Sequence, residues 1–447
     1  MTHMLEAVDE ACFEEAVPEA LEGADLEALA TAVTATLAER GVTWGADATP
    51  YPVCPVPRVL TAAEWEPLAA GVCQRTRALD RFVADIYGRQ RIVRDGVLPA
   101  SQVASAAYFE PLMQQAVHTE RRFITIAGLD CVRGPDGTFR VLEDNVRTPS
   151  GISYSLAARD AVTAHLGAPA GLAPLGPALD ALGQALRDAA PEGVDDPTVA
   201  LLSDGPGNVA FYDHRTLAER LGIALVRLVD LRIRDRHLYA GDTRIDVVYR
   251  RTDEDRLQHA RGGLTRVGRL LLEPWSRGTL GLVNAFGTGV ADDKLLHASV
   301  EEMVRFYLGE EPLIESVRTW DLSTPRAMHE ALERLDELVV KPRAGHGGAG
   351  VVIGPLASAA ELDAARDAMR ASPAEHVVQD FAPLSVHPTA IGGGLALRHV
   401  DLRPFVFYGA GEPVAMPGGL TRVAFDEGEM VVNSSRNGGA KDTWVLA

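Results

Sequence analysis

The chain has 447 residues, 47% of them hydrophobic and 23% charged, and its 62 Asp and Glu against 43 Lys and Arg leave a formal charge of −19. That length allows two or three domains, and the acidic balance argues against a nucleic-acid or anionic-membrane surface, each of which needs a basic patch; a small anion needs only a few Lys and Arg. No apolar run is long enough to cross a bilayer, no secretion signal opens the chain, and Cys12, Cys54, Cys73 and Cys131 form no C-x-x-C pair, so reduced thiols in a cytoplasmic protein are the simplest reading.

Residues 1–24 are acidic and read as a loosely held end. Asp25 caps an amphipathic helix that Gly41 closes. Residues 42–60 are rich in proline and read as extended loop. Thr61 with Glu64 three residues on is a capping box, opening a helix that runs to Tyr87 with Gly88 as its stop. Residues 101–118 predict a further helix.

Residues 123–145 predict an antiparallel hairpin: an apolar run leads to Asp130, a Gly134-Pro135-Asp136-Gly137 turn follows, and a second run carries Glu143 and Asn145. Strand side chains alternate with period two, so Glu143 and Asn145 share a face, and Asp130 lies on the neighbouring strand within reach of it. Two carboxylates and an amide oxygen are hard ligands suited to Mg²⁺, which takes the rest of its shell from water and substrate phosphates. An acidic surface hairpin is the alternative, and this stretch alone leaves the two even.

Arg147 to Gly151 form a polar loop, and Ala-rich helices run on to about residue 190. A Pro/Gly/Asp segment at 191–197 suggests a seam. Strand 199–202, a Gly/Pro loop, helix 211–221 and strand 224–228 start a parallel α/β unit. Its loop does not match G-x-G-x-x-G. Strand 245–249 ends in the polar cluster Arg250, Arg251, Thr252, Asp253, Glu254, Asp255, placed where open α/β sheets bind ligands; a solvated charge run is an equal reading.

Asp292-Asp293-Lys294 opens a helix. Lysine in a first turn opposes the helix dipole, so it either faces solvent or faces a bound anion. Strand 338–342 ends in Lys341 and Pro342, and a loop with four glycines among residues 345–350 leads back through Val351, Val352 and Ile353. This is no Walker loop, but glycines let backbone N–H groups approach phosphate closely, and Lys341 supplies a point charge. Strand 375–380 bends at Phe381-Ala382 and presents an edge that an adenine can pair with. Asp401 and Arg403 share a strand face, either as a structural ion pair or with Arg403 as a phosphate ligand. Arg422 follows in a glycine-bearing loop. Residues 433–444 are small and polar, of a kind that lines anion sites.

Lys294, V-V-K-P at 339–342 with its glycine loop, V-V-Q-D-F at 377–381 and D-L-R-P-F-V at 401–406 resemble the nucleotide half of an ATP-grasp enzyme. Asp130 with E-x-N at 143–145 and Pro149 resembles the metal half. The metal segment precedes the lysine loop by about two hundred residues, the order of the circularly permuted ATP-grasp proteins related to the glutathionylspermidine synthase type. The likeness covers nearly all of residues 50–447. It implies an α/β (α+β) fold: an N-terminal helix and extended segment (1–60), a helical region with the metal hairpin (61–190), a parallel pre-ATP-grasp-like domain (191–270) and an ATP-binding part (271–447).

The resemblance assigns ATP phosphates to Lys294 and Lys341, the mobile lid to Gly345, Gly347, Gly348 and Gly350, and the adenine hinge to Gln379, Asp380, Phe381 and Ala382. It assigns Mg²⁺ to Asp130, Glu143 and Asn145, and charge neutralisation to Arg403 and Arg422. His346 and Ala349 stand in the lid where bulkier or charged residues are frequent in the family. The implied reaction is ATP-dependent ligation of a small carboxylate to an amine (an amino acid, small peptide or polyamine) through an acylphosphate. The carboxylate would lie near Arg147 and Ser150, and the amine near the Arg250 cluster. A homodimer is compatible. The alternatives are a phosphotransferase of the same fold and a non-catalytic ATP-binding scaffold.

Overall fold

A computed structural model describes residues 12–116, 121–252, 256–259, 261–345, 348–432 and 438–447. The largest element is a nine-stranded sheet. Seven strands run in the order Val414–Ala415, Phe405–Phe407, Ile126–Arg133, Gly394–Arg403, Leu420–Ala424, Gly438–Leu446, Val53–Thr61. Phe139–Asn145 pairs off Ile126–Arg133, and Val386–Ile391 pairs off Gly394–Arg403. Among the described residues, Gly438–Leu446 and Val53–Thr61 are the one pair of strands in this sheet that run parallel.

Period-two alternation divides the side chains between two cores. Leu129, Cys131, Leu402 and Val406 join the core under helix Ala62–Tyr87, whereas Phe405, Phe407, Leu420 and Trp444 join the core under helix Ile152–Leu166. Helices Ala62–Tyr87 and Leu26–Glu39 start as their sequences dictate. Thr61 and Glu64 form the reciprocal capping box, and Asp25 accepts from the backbone of Glu27 and Ala28 to open helix Leu26–Glu39.

A smaller antiparallel sheet, in the order Thr319–Trp320, His376–Asp380, Leu338–Pro342, Val352–Ile353, is backed by helices Pro325–Glu333 and Ala359–Ala371. Leu338, Val340 and Val378 point into that backing core, which leaves Val339, Lys341 and Gln379 facing away from it, toward the large sheet. A parallel sheet, Ala224–Val226, Val199–Ser203, Val247–Arg251, Gly281–Val283, lies to one side with the crossover helix Phe211–Leu221. Next to it in the chain is a three-stranded meander, Leu231–Arg234, His237–Ala240, Thr243–Ile245. Among the described residues no helix is long and apolar enough to cross a membrane.

Five expectations change, the first being that Arg422 stands on strand Leu420–Ala424 and not in a loop. Val53–Thr61 is a strand despite its prolines, because it is the outermost strand and the register slips between its pairs Cys54–Lys441 and Arg58–Thr443, where Pro55 and Pro57 need no ladder bond. The helix expected over 101–118 is two short pieces, Ala100–Ala104 and Met113–Ala116, separated around Pro111, which cannot continue a helix from its N-terminal side. The strand expected at 245–249 is Val247–Arg251. The polar C-terminal segment is a strand inside the large sheet: Lys441 is fully buried and donates to Cys54 Sγ at 3.1 Å and to the Pro388 carbonyl at 3.0 Å, while residues 433–437 lie outside the described set. The sheets also cross the expected divisions at 60 and 270, since 53–61 joins 438–446 and 281–283 joins 247–251.

Candidate active site

A cavity of about 600 Å³ lies between the small sheet and the large one. Its floor is the hairpin. Asp130 pairs in register with Glu143 and Gly128 with Asn145, with an irregularity just after Asp130. Asp130, Glu143 and Asn145 all line the cavity. Asp144, between the two ligand candidates, points the other way. It accepts from Arg75 Nε at 2.7 Å and Nη2 at 2.8 Å and lies 2.7 Å from His297 Nδ1. Burial would raise this carboxyl, but Arg75 and His297 outweigh it and hold it well below the usual range. The buried pair ties the hairpin to helix Ala62–Tyr87 and to helix Lys294–His297.

Above the hairpin sit the two lysines. Lys294 Nζ donates to the Gly345 carbonyl at 3.0 Å and lies 3.6 Å from Glu143, and Lys341 Nζ lies 3.8 Å from Glu143. Lys294 therefore faces the cavity rather than solvent. Burial pushes the Lys341 ammonium below the usual lysine range, with Glu143 offsetting part of the shift. Burial likewise acts to raise Glu143, but Lys341 and Lys294 lower it overall. Arg343, at the base of the glycine loop, fixes this arrangement. Its Nε donates to both oxygens of Asp293, at 2.9 and 2.8 Å, and its other nitrogens donate to Ser105 Oγ and the Gln102 carbonyl. Asp293 in turn caps the helix that begins with Lys294.

A second charged cluster spans three neighbouring strands. Arg403 donates to Asp130 through Nε at 2.6 Å and Nη2 at 2.9 Å, and Arg422 Nη2 donates to Asp130 at 2.8 Å. Arg422 also clasps Asp401 through Nε at 2.9 Å and through Nη2. Burial acts to raise Asp130, but the two guanidinium groups hold its carboxyl at about 2. Asp401 is pushed up by burial, which Arg422 does not fully offset.

At the far side of the lysines, Gln379, Asp380, Phe381 and Ala382 line the cavity with Leu142, Val339 and Met430. Gln379 Nε2 donates to Thr319 Oγ1 at 3.0 Å, and Asp380 accepts from Trp320 Nε1 at 2.7 Å. Gly345 and Gly348 line the cavity; Gly350 does not, its φ of +73° and closeness to Pro342 serving the turn instead. Gly347 and His346 lie outside the described residues.

Arg147 is not in the lining. Its guanidinium lies 4.4 Å from the ring centre of Tyr108. Ser150 lines the cavity and donates to Asp213 at 3.0 Å. Arg250 and Arg251 are buried elsewhere: Arg250 lies over Phe286, and Arg251 donates to the Pro149 carbonyl and pairs with Asp213 at 3.3 Å. Asp253, Glu254 and Asp255 are outside the described residues.

Residues 57–424 match the family described as circularly permuted ATP-grasp type 2. The chain is a circularly permuted ATP-grasp protein. It is 41% identical over 438 residues to an uncharacterised protein of Mycobacterium tuberculosis, covering 95% of this chain and 79% of that one. It is 42% identical over 409 residues to a Frankia casuarinae protein provisionally named glutamate–cysteine ligase 2-2, covering 89% of this chain but 47% of that one. Among solved structures, the apo form of a glutathione synthetase-like effector from Globodera pallida superposes with a TM-score of 0.63 at 11% identity, over 97% of this chain and 100% of that one. That likeness is one of fold.

In this ATP-grasp cavity the donor set suits Mg²⁺ shared with a nucleotide. Among the described residues, no three or more His, Cys, Asp or Glu side chains are grouped to hold a metal alone. Beside Asp130, Glu143 and Asn145 are the further oxygen donors of the hairpin that line the cavity, and the buried Asn145 Nδ2 has no hydrogen-bond partner. Asp130 also accepts from Arg403 and Arg422 through both of its oxygens, because folding brings strands Gly394–Arg403 and Leu420–Ala424 beside it. Sequence reasoning missed Arg343, Asp144 and an aromatic wall of Trp44, Tyr51 and Tyr154.

Proposed function

We propose that the cavity binds ATP with Mg²⁺ and that the protein is an ADP-forming ligase joining a carboxylate to an amine through an acylphosphate. The observation that carries the reading is the arrangement of charges in one cavity: Glu143 within 4 Å of both lysines, beside Asp130 held by two arginines. The lysine–glutamate contacts are long for ion pairs, so phosphate oxygens can replace them at little cost.

In this reading Lys294 and Lys341 hold the phosphates. The base packs among Leu142, Val339 and Met430 against the strand edge at Gln379 to Ala382. Glu143 and Asn145 hold Mg²⁺ together with phosphate oxygens, and the metal supplies charge neutralisation between the reacting anions. Arg403 and Arg422 face the transferred phosphoryl group, their own charge partly balanced by Asp130 and Asp401 so that they sit fixed before the reaction. No protein nucleophile is needed. The family membership and the ligase name carried by the Frankia relative support the class of reaction. An ADP-release screen with Mg²⁺ over amino acids, small peptides and polyamines tests it. Amine-dependent ADP release with an amide product is expected. A stable phosphorylated product instead would make the protein a phosphotransferase, and nucleotide binding without turnover would make it a scaffold.

A further inference from the structure

We propose that the end of the cavity away from the glycine loop is the subsite for the second substrate's side chain, and that this side chain is apolar or aromatic. The proposal rests on the ligase reading of the same cavity. Three aromatic residues and one aliphatic one build this end. Trp44 comes from the two-stranded ribbon Thr43–Trp44 and Thr49–Pro50, Tyr51 follows it, Tyr154 stands on helix Ile152–Leu166, and Val209 lies in the loop before helix Phe211–Leu221.

The ribbon is tied down on that loop by a bond from the Gly45 N–H to the Val209 carbonyl at 3.0 Å. The Tyr154 ring lies 4.3 Å from Tyr51 and 5.8 Å edge-on from Trp44, and its hydroxyl is spent on the Thr43 carbonyl at 2.8 Å. The wall is thus held rigid before any ligand enters. Gly151 lets this end pack closely: a Cβ there would come within 2.9 Å of Leu420 and 3.1 Å of Phe405, and its φ of +125° favours glycine.

The chemistry of this end differs from the rest of the cavity. Every charged side chain in the lining comes from the hairpin, the lysine elements, the small sheet or the arginine-bearing strands. The nearby carboxylate of Asp213 is fully buried and occupied by Ser150, Ser153 and Arg251. One cation borders this end: Arg403 donates to the Ser150 carbonyl at 3.1 Å, but it is already paired with Asp130. A glutamate side chain or a polyamine would lose water against Trp44, Tyr51 and Tyr154, whereas an apolar group gains from leaving water. Trp44 and Tyr51 precede the family match, which begins at residue 57, so this wall is built outside the matched segment.

The test is calorimetry on the full chain loaded with Mg²⁺ and a non-hydrolysable ATP analogue, titrated with L-phenylalanine, L-leucine, L-glutamate, L-lysine and spermidine. Phenylalanine and leucine are expected to bind at least about tenfold more tightly than the others, the range a hydrophobic pocket provides. Trp44→Ala should weaken phenylalanine by a similar factor and leave the nucleotide analogue's affinity unchanged. Val209→Glu changes a residue that is 49% exposed and should do the same with no packed group disturbed. Tighter binding of glutamate or spermidine, no binding of either apolar amino acid, or no effect of both variants would overturn the proposal while leaving the ligase reading intact. Failure of the nucleotide analogue to bind would instead overturn the ligase reading, and this proposal with it.

Discussion

Replacing Asp130 by Asn removes the negative charge that two arginines share. The carboxyl titrates at about 2 in the folded chain against an ordinary 3.8, a depression of about 1.8. At about 1.4 kcal/mol per pH unit this is about 2–3 kcal/mol of stability. The variant leaves Arg403 with the Ser150 carbonyl and at most one uncharged amide oxygen at 130, while Arg422 keeps Asp401. Stranding a buried cation costs about 3–5 kcal/mol when nothing else compensates. Because Arg422 is still paired, the expected loss for Asp130→Asn is about 2–4 kcal/mol at neutral pH. The pH dependence has a definite sign: a depressed acid stabilises fully above its unfolded value and loses that contribution as pH falls through its folded value. The wild-type advantage over the variant should therefore be constant above pH about 5 and shrink between about 4 and 2. Urea unfolding followed by circular dichroism at several pH values measures this. A loss under about 0.5 kcal/mol at pH 7, or a gap that widens toward low pH, would refute the claim that the two arginines depend on Asp130.

Lys341→Ala should weaken ATP about 10- to 100-fold in a binding titration, because it deletes a charge-assisted contact to phosphate. Glu143→Gln should abolish Mg²⁺-dependent ADP release while the melting temperature stays near that of the wild type, since the residue is partly exposed and only loosely paired. Arg343→Gln should weaken ATP about tenfold with no direct contact to it, because the base of the glycine loop and the Asp293 cap lose their common anchor; unchanged affinity would assign Arg343 to stability alone.

The hairpin was legible because alternation and a strong turn fix its register: Asp130 does oppose Glu143. The Lys341 loop was legible for the same reason, as strand, glycines and returning strand are local in sequence. What escaped depends on strands far apart in the chain. Asp130 and Arg403 are 273 residues apart, so nothing local distinguishes a metal ligand from an ion-pair partner. Trp44 and Tyr51 sit in a proline-rich stretch without periodicity, and only the docking of their ribbon on the Val209 loop turns them toward the cavity. Arg343 reads as one more charge in a flexible loop until its four contacts are seen. Val53–Thr61 was hidden by prolines that an outer strand tolerates.

The most direct check is a crystal structure of the chain with Mg²⁺ and a non-hydrolysable ATP analogue. The triphosphate should lie between Lys294 and Lys341, over Glu143, with the base against Gln379 to Ala382. Nucleotide density anywhere outside that cavity, or a nucleotide in it whose phosphates point away from both lysines, would contradict the account.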